Sequence, residues 1–266
     1  GTNIVGGVRK GKGGSRHLGV PVFDSADEAV EVTQANASVI FVPPANAADA
    51  IIEAVDAGLE LVVCVTERIP VLDMVRVRHR LNTSSTLLVG PNSPGIAVPG
   101  VSTLGIMPQG IFLPGRIGIV SRASTLTYEA VDQTTRNGLG QSTCVGVGAD
   151  PVVGASVVQC LEKFMRDEQT EGIILIGEVG GTSEERAAEY LSSLTHRKPV
   201  VAYIAGQAGP EGRRMGHAGT IIHYGTGTAE SKIGALGEAG VAVVSSPIDI
   251  GQEMADRLPS RQNTYA

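Results

Sequence analysis

Tryptophan is absent from this chain, and aromatic residues make up only 3% of it. A core without aromatic mass must be built from Val, Ile, Leu and Ala. Positive charge is also short: the formal net charge is −6 and the isoelectric point about 5.4. That excludes the basic footprint of a nucleic-acid-binding protein. No apolar run reaches the roughly 18 residues of a membrane span. Cysteine is scarce, and Cys64, Cys144 and Cys160 are odd in number, scattered in apolar segments and without metal-binding spacing. They read as buried thiols of a reducing compartment. No signal or transit peptide is visible. The chain opens on Gly1-Thr2-Asn3-Ile4, already entering a strand, and the natural N-terminus is expected to lie upstream.

What the chain does have is glycine, 35 residues of it, and 42% hydrophobic residues over 266 positions. This is enough for one large or two medium domains of α/β type with buried parallel strands. Strand and helix patterns alternate. Strands are expected at 4–8, 20–23, 38–42, 61–65 and 86–89, with helices at 26–32, 47–57 and 72–81. Residues 96–115 are rich in Pro and Gly and read as a linker. A second alternating unit follows, with strands at 116–120, 142–147, 172–176, 199–205 and 241–244. Its helices are expected at 126–137, 156–167, 182–194 and 229–239. The reading is two open, doubly wound parallel sheets, in domains 1–95 and 96–266, the second flavodoxin-like by its element order.

Ligands of such sheets bind beyond the carboxyl ends of the strands. In the first unit that edge carries three polar loops. They are the basic Arg9-Lys10-Gly11-Lys12-Gly13-Gly14 loop, the Val65-Thr66-Glu67 turn, and Asn92 within Gly90-Pro91-Asn92-Ser93-Pro94-Gly95. The Lys12 loop reads either as a phosphate cradle of amides and lysine or as a solvated surface loop, and it fits neither P-loop nor GxGxxG spacing. In the second unit, Ser121-Arg122-Ala123-Ser124-Thr125 opens a helix whose amides and dipole suit a phosphoryl group, with an ordinary helix cap as the competing reading. Glu178 ends one strand. His217 follows another, inside the glycine-flanked run Gly212-Arg213-Arg214-Met215-Gly216-His217-Ala218-Gly219. A carboxylate bonded to one ring nitrogen fixes the tautomer and leaves the other nucleophilic, so His217 can carry a phosphoryl group. A flexible Gly-rich turn with an incidental His is the bland alternative. An NAD-dependent oxidoreductase fails for lack of GxGxxG.

Gly90 to Gly95, Ser121-Arg122 with Thr125-Leu126-Thr127-Tyr128-Glu129-Ala130, Gly177-Glu178 and Gly212 to Gly219 resemble the signatures of the alpha subunits of succinyl-CoA synthetase (succinate–CoA ligase). The similarity runs in order from residue 1 to about residue 255. The resemblance implies a Rossmann-like CoA-binding domain followed by a ligase domain. It also implies a beta subunit that binds ATP or GTP with Mg²⁺, in a heterodimer or a dimer of heterodimers. The implied reaction, a step of the tricarboxylic acid cycle, joins succinate and CoA through a phosphohistidine and succinyl phosphate, with release of phosphate. By position, His217 matches the phosphorylated histidine and Glu178 the residue that orients it. Lys12, Val65, Thr66 and Glu67 match CoA contacts, with Asn92 on the same edge. Tyr128 matches a substrate-site residue, while Ser124 and Thr125 start the phosphate-binding helix. Ser93, Arg68, Ala123-Ser124, Ala149, Arg9-Lys10 and His223-Tyr224 depart from the family pattern. These departures leave a non-catalytic partner of a beta-type subunit as the alternative. The run 61–81 leans toward mitochondrial members and hence the mitochondrial matrix, with bacterial cytoplasm as the alternative.

Overall fold

The computed structural model describes residues 1–207, 217 and 227–259. Apart from His217, the run Gly212 to Gly219 and the pair His223-Tyr224 lie outside the described residues, as does the tail from 260 onward. The chain divides into two compact units. The first comprises residues 1–97, 101–107 and 146–155; the second takes 98–100, 108–145 and the chain from 156 onward.

In the first unit the elements are β1 (Gly7–Val8), β2 (Arg16–His17), β3 (Val20–Phe23), α1 (Ala26–Thr33), β4 (Ala37–Ile40), α2 (Pro44–Asp56), β5 (Leu61–Cys64), α3 (Val71–Leu81), β6 (Leu87–Val89), β7 (Gly95–Val98) and β8 (Ser102–Gly105). Strands β4, β5 and β6 form the expected parallel sheet, with Ala37 opposite Leu61 and Val63 opposite Val89. Its faces are covered by a small aliphatic cluster that includes Ile40, Ile51, Val55, Val62, Met74, Val77 and Leu88. The N-terminal strands do not join it as one continuous sheet. β1 pairs parallel with β3, and β2 folds back antiparallel on β3. The cause is local: Leu18 and Gly19 both have positive φ (48° and 84°), the conformation of a two-residue hairpin turn.

The expected linker at 96–115 is structured, holding β7, β8 and a short 3-10 turn at Gln109–Ile111. Its glycines serve close backbone approach. A Cβ on Gly95 would stand 2.0 Å from the Leu104 carbonyl oxygen, and one on Gly105 2.4 Å from that of Pro94. Glycine there marks packed strands, which composition alone does not separate from a loose connection.

The second unit contains β9 (Pro114–Ser121), α4 (Ser124–Arg136), β10 (Gln141–Gly146), α5 (Val157–Arg166), β11 (Gly172–Glu178), α6 (Ser183–Ser192), β12 (Val200–Ala205), α7 (Ala229–Glu238), β13 (Ala242–Val243) and α8 (Ile250–Arg257). Its strands lie in the order β13-β12-β11-β9-β10, the flavodoxin-like arrangement expected from the alternation. β11 is buried at all seven positions and pairs parallel with β9 and β12. α8 is an addition to the sequence reading. Gly251 is a poor helix former, and a tertiary contact decides its state: the Gly251 N–H donates to Gln133 Oε1 on α4 at 2.7 Å.

Candidate functional site

Buried on both faces, β11 brings Glu178 to its carboxyl end, and the ladder with β12 holds as far as Glu178 opposite Ala205. Glu178 is buried, yet its Oε2 lies 2.8 Å from Nδ1 of His217, whose side chain remains 39% exposed. With Glu178 ionised, Nδ1 carries the ring hydrogen toward the carboxylate, and in the neutral ring the lone pair is then on Nε2. The two residues proposed for the chemistry are therefore in direct contact.

Around them is a chain of charge that sequence reading only touched. Arg122, in the turn between β9 and α4, has Nη2 3.3 Å from Glu178 Oε1. That is ion-pair range without hydrogen-bond geometry, and Oε1 has no hydrogen-bond donor. Arg122 Nη1 donates instead to Glu184 Oε1 at 2.9 Å and to the Gly180 carbonyl at 3.1 Å. Glu184 Oε1 also accepts the backbone N–H of Glu178, at 3.2 Å. Lys232 on α7 completes the chain, donating to Glu184 Oε2, to Glu185 Oε2 at 3.0 Å and to the Gly181 carbonyl at 3.1 Å. Burial opposes a charge on Glu184, but the Arg122 and Lys232 cations outweigh it and hold the carboxyl below its ordinary value of 4.5.

Sequence spacing did carry a signal for these residues. Glu184 precedes Ala187, Ala188 and Leu191 by three, four and seven positions, so it heads the buried stripe of α6. Lys232 stands four residues before buried Leu236 on α7. A charge on a core stripe demands a partner.

α4 starts at Ser124, directly after Arg122 and Ala123. Its N-cap, Ala123, offers no side-chain hydrogen bond to the first turn. The amides and the positive end of the helix dipole therefore gain no stabilisation from a cap there, as an anion-binding turn requires. Ser124 is half-buried and Thr125 exposed. Tyr128 sits one turn further along α4, half-buried, its phenol pushed up by burial and by nearby Cys144.

In the first unit, Lys12, Thr66 and Asn92 each follow the carboxyl end of a strand: β1, β5 and β6. Thr66 and Asn92 are joined, the Asn92 N–H donating to the Thr66 carbonyl at 2.9 Å. Thr66 Oγ1 is anchored on the Val42 carbonyl at 2.6 Å, and Asn92 Nδ2 on Asp150 at 3.0 Å. Val65 is half-buried and Glu67 exposed. Lys12 belongs to the other sheet, and here the phosphate-cradle reading needs revision. The amides of Lys12 and Gly13 already donate to Asp24 Oδ1, at 3.0 and 2.9 Å. These contacts, the Gly13 amide foremost, lower the Asp24 carboxyl below its usual range against an opposing effect of burial. The loop offers an incoming anion its exposed lysine side chain rather than those two amides.

Two departures from the family pattern also find a place. Ser93 is buried, with Oγ donating to the Gly146 carbonyl at 2.5 Å and accepting from the Gly95 N–H at 2.9 Å, so both its hydrogen-bonding roles are filled. Arg68 adopts φ 61°, the left-handed region that glycine favours.

Comparison with known proteins assigns the family. Residues 1–68 match the CoA binding domain model and residues 120–242 the CoA-ligase model. The chain is 55% identical over 260 residues to the ADP-forming succinate–CoA ligase alpha subunit of Aquifex aeolicus, covering 97% of this chain and 85% of that one. The chain belongs to the succinate–CoA ligase alpha-subunit family. Another relative, alpha subunit 2 of the ADP-forming succinate–CoA ligase of Archaeoglobus fulgidus, is 52% identical over 258 residues, covering 97% of this chain and 89% of its own. Among solved structures, ATP citrate lyase from Methanothrix soehngenii, in complex with citrate and coenzyme A, superposes with a TM-score of 0.82 at 24% identity. The match covers 91% of this chain but only 42% of the lyase, and it speaks for the fold alone. These two relatives are of bacterial and archaeal origin, and this chain is an α/β protein with parallel sheets. Among the described residues no helix is long and apolar enough to cross a membrane.

Proposed function

We propose that the chain is the alpha subunit of a succinate–CoA ligase and that His217 carries the phosphoryl group between half-reactions. The observation that supports this best is the 2.8 Å contact between His217 Nδ1 and Glu178 Oε2. It commits the ring hydrogen to Nδ1, so Nε2 attacks the γ-phosphorus of ATP or GTP. The N–P bond forms as the bond to the nucleoside diphosphate breaks, and Glu178 compensates the positive charge that develops on the ring. A succinate carboxylate oxygen then takes the phosphoryl group, freeing the imidazole. The CoA thiolate attacks the acyl phosphate, and inorganic phosphate leaves. Each step is reversible.

The first turn of α4, from Ser124 and Thr125, receives the phosphoryl group, and Tyr128 lines the succinate side. Lys12 meets a phosphate of CoA with its side chain, while Val65, Thr66, Glu67 and Asn92 hold the cofactor along the strand edge. Residues 1–95 act as the CoA-binding half and 96–266 as the ligase half. A beta subunit in a heterodimer supplies the nucleotide site and its Mg²⁺. The bacterial and archaeal relatives favour a cytoplasmic setting over the mitochondrial matrix.

The test is to assemble the chain with a succinate–CoA ligase beta subunit and add γ-labelled ATP or GTP. Acid-labile, base-stable label is expected on wild type and absent from His217→Asn. An intact heterodimer that takes up no label would reject the enzyme and favour a structural partner of the beta subunit.

A further inference from the structure

Glu184 and Lys232 have no place in the phosphoryl-transfer steps, yet both are 0% exposed. Burying an ion pair costs several kcal/mol per ion, and an apolar pair of the same volume is often as stable or more so. Stability alone is therefore a weak reason for them, and the geometry points to another.

A guanidinium favours a bidentate fork on a single carboxylate. Arg122 does not make that fork on Glu178. Its Nη1 is held by Glu184 Oε1 at 2.9 Å, Glu184 Oε2 at 3.2 Å, the Gly180 carbonyl at 3.1 Å and the Glu178 carbonyl at 3.3 Å. Only Nη2 comes within 3.3 Å of the Glu178 carboxylate, at Oε1. The other oxygen, Oε2, is thereby left to His217. Glu184 is itself kept charged and in place by Lys232, which Glu185 and the Gly181 carbonyl hold in turn. Ser231 Oγ donates to Glu185 Oε1 at 3.1 Å and fixes the far end.

We propose that Glu184 and Lys232 are positioning residues for His217: they anchor Arg122 so that it cannot capture both oxygens of Glu178, which reserves one oxygen for the imidazole. The inference rests on the reading of His217 as the phosphoryl carrier, but its geometry can be tested without that chemistry. Among the described residues, the charged groups that bear on the pair are Arg122 from the β9–α4 turn, Glu184 and Glu185 from α6, and Lys232 from α7.

The experiment follows the imidazole titration of His217 by NMR in the assembled complex labelled with 13C-histidine, alongside the pH profile of its phosphorylation. In Glu184→Gln the released Arg122 pairs with Glu178, and the imidazolium loses its carboxylate. The titration midpoint is expected to fall by about one pH unit, the lower end of the effect of losing a nearby opposite charge. The acid limb of the phosphorylation profile moves the same way, while the plateau rate drops roughly tenfold or more because the ring is no longer oriented. Glu184→Asp, which keeps the charge, restores the wild-type midpoint. Lys232→Met removes the hold on Glu184, so Arg122 is released in the same way and the midpoint falls, by less than in Glu184→Gln. Loss of the Lys232 cation by itself would raise the midpoint, so a fall in that variant reports the released Arg122 and not the changed charge. An unmoved midpoint in Glu184→Gln overturns the proposal, even if its rate falls. If Glu184→Gln does not assemble, the Lys232→Met midpoint decides alone: a fall supports the anchor, and an unmoved or raised value overturns it. Variant midpoints that move as expected in a complex that takes no label refute the carrier role and leave the positioning role standing.

Discussion

The two charged regions of this molecule solve opposite problems. The Lys12 loop keeps its cations in water and turns a carboxylate, Asp24, inward on its own amides. The site at Glu178 buries Arg122, Glu184 and Lys232 and must pair every one of them. An exposed charge can be changed with little effect on the fold, because water screens it. A buried one cannot lose its partner without leaving an uncompensated charge in a poor dielectric. Affinity for a mobile, anionic cofactor suits the first arrangement; orientation of one imidazole suits the second.

The contrast can be broken at its strongest point by Lys232→Ala. This removes the cation between Glu184 and Glu185, and a loss of about 3–5 kcal/mol in denaturant unfolding is expected. Replacing both partners, Lys232→Met with Glu184→Leu, is expected to recover most of that stability while phosphorylation of His217 stays impaired. Recovery of both would mean that the pair serves the fold only.

Acid sharpens the same comparison. The Glu184 carboxyl is lower in the folded than in the unfolded chain. The unfolded state therefore binds its proton first, and the stability this group contributes is complete above the ordinary value of 4.5. It is lost as pH falls from there through the depressed folded value. Wild type should lose stability in that window, measured by urea midpoints at a series of pH values, and a Glu184→Gln variant should lose less.

Arg68→Gly should stabilise the chain, since the left-handed backbone costs a non-glycine residue about 1 kcal/mol. Thermal unfolding checks the sign, and a lower melting temperature would show that the Arg68 side chain matters more than its backbone strain. The smallest effect on stability is expected from Asp24→Ala, because that carboxylate is exposed. It should nevertheless weaken CoA binding several-fold by isothermal titration, since the loop that presents Lys12 loses its brace. Unchanged affinity would detach Asp24 from the cofactor.

Much of this was legible in the residues. The alternation of strands and helices follows from apolar spacing and flanking glycines. The carboxyl-end loops bearing Thr66, Asn92, Glu178 and His217 follow from the placement of polar residues just beyond strand-like runs. Local pattern did not disclose that glycines 95 and 105 mark two strands in close contact, because such glycines look the same as those of a linker until their neighbours are known. It did not disclose α8 either, where a glycine-containing segment is held helical by Gln133 from a distant helix.

The sequence by itself determined the class of fold and the family and singled out the two side chains proposed for phosphoryl transfer, because each depends on which residues are present and how they are spaced. Tertiary structure decided which groups touch. It set the amides of the Lys12 loop on Asp24 and joined Arg122, Glu184 and Lys232, drawn from three separated elements, into one buried chain behind Glu178. Partners 48 and 62 residues apart are chosen by the packing of helices on a shared sheet, and no local spacing rule reaches that far.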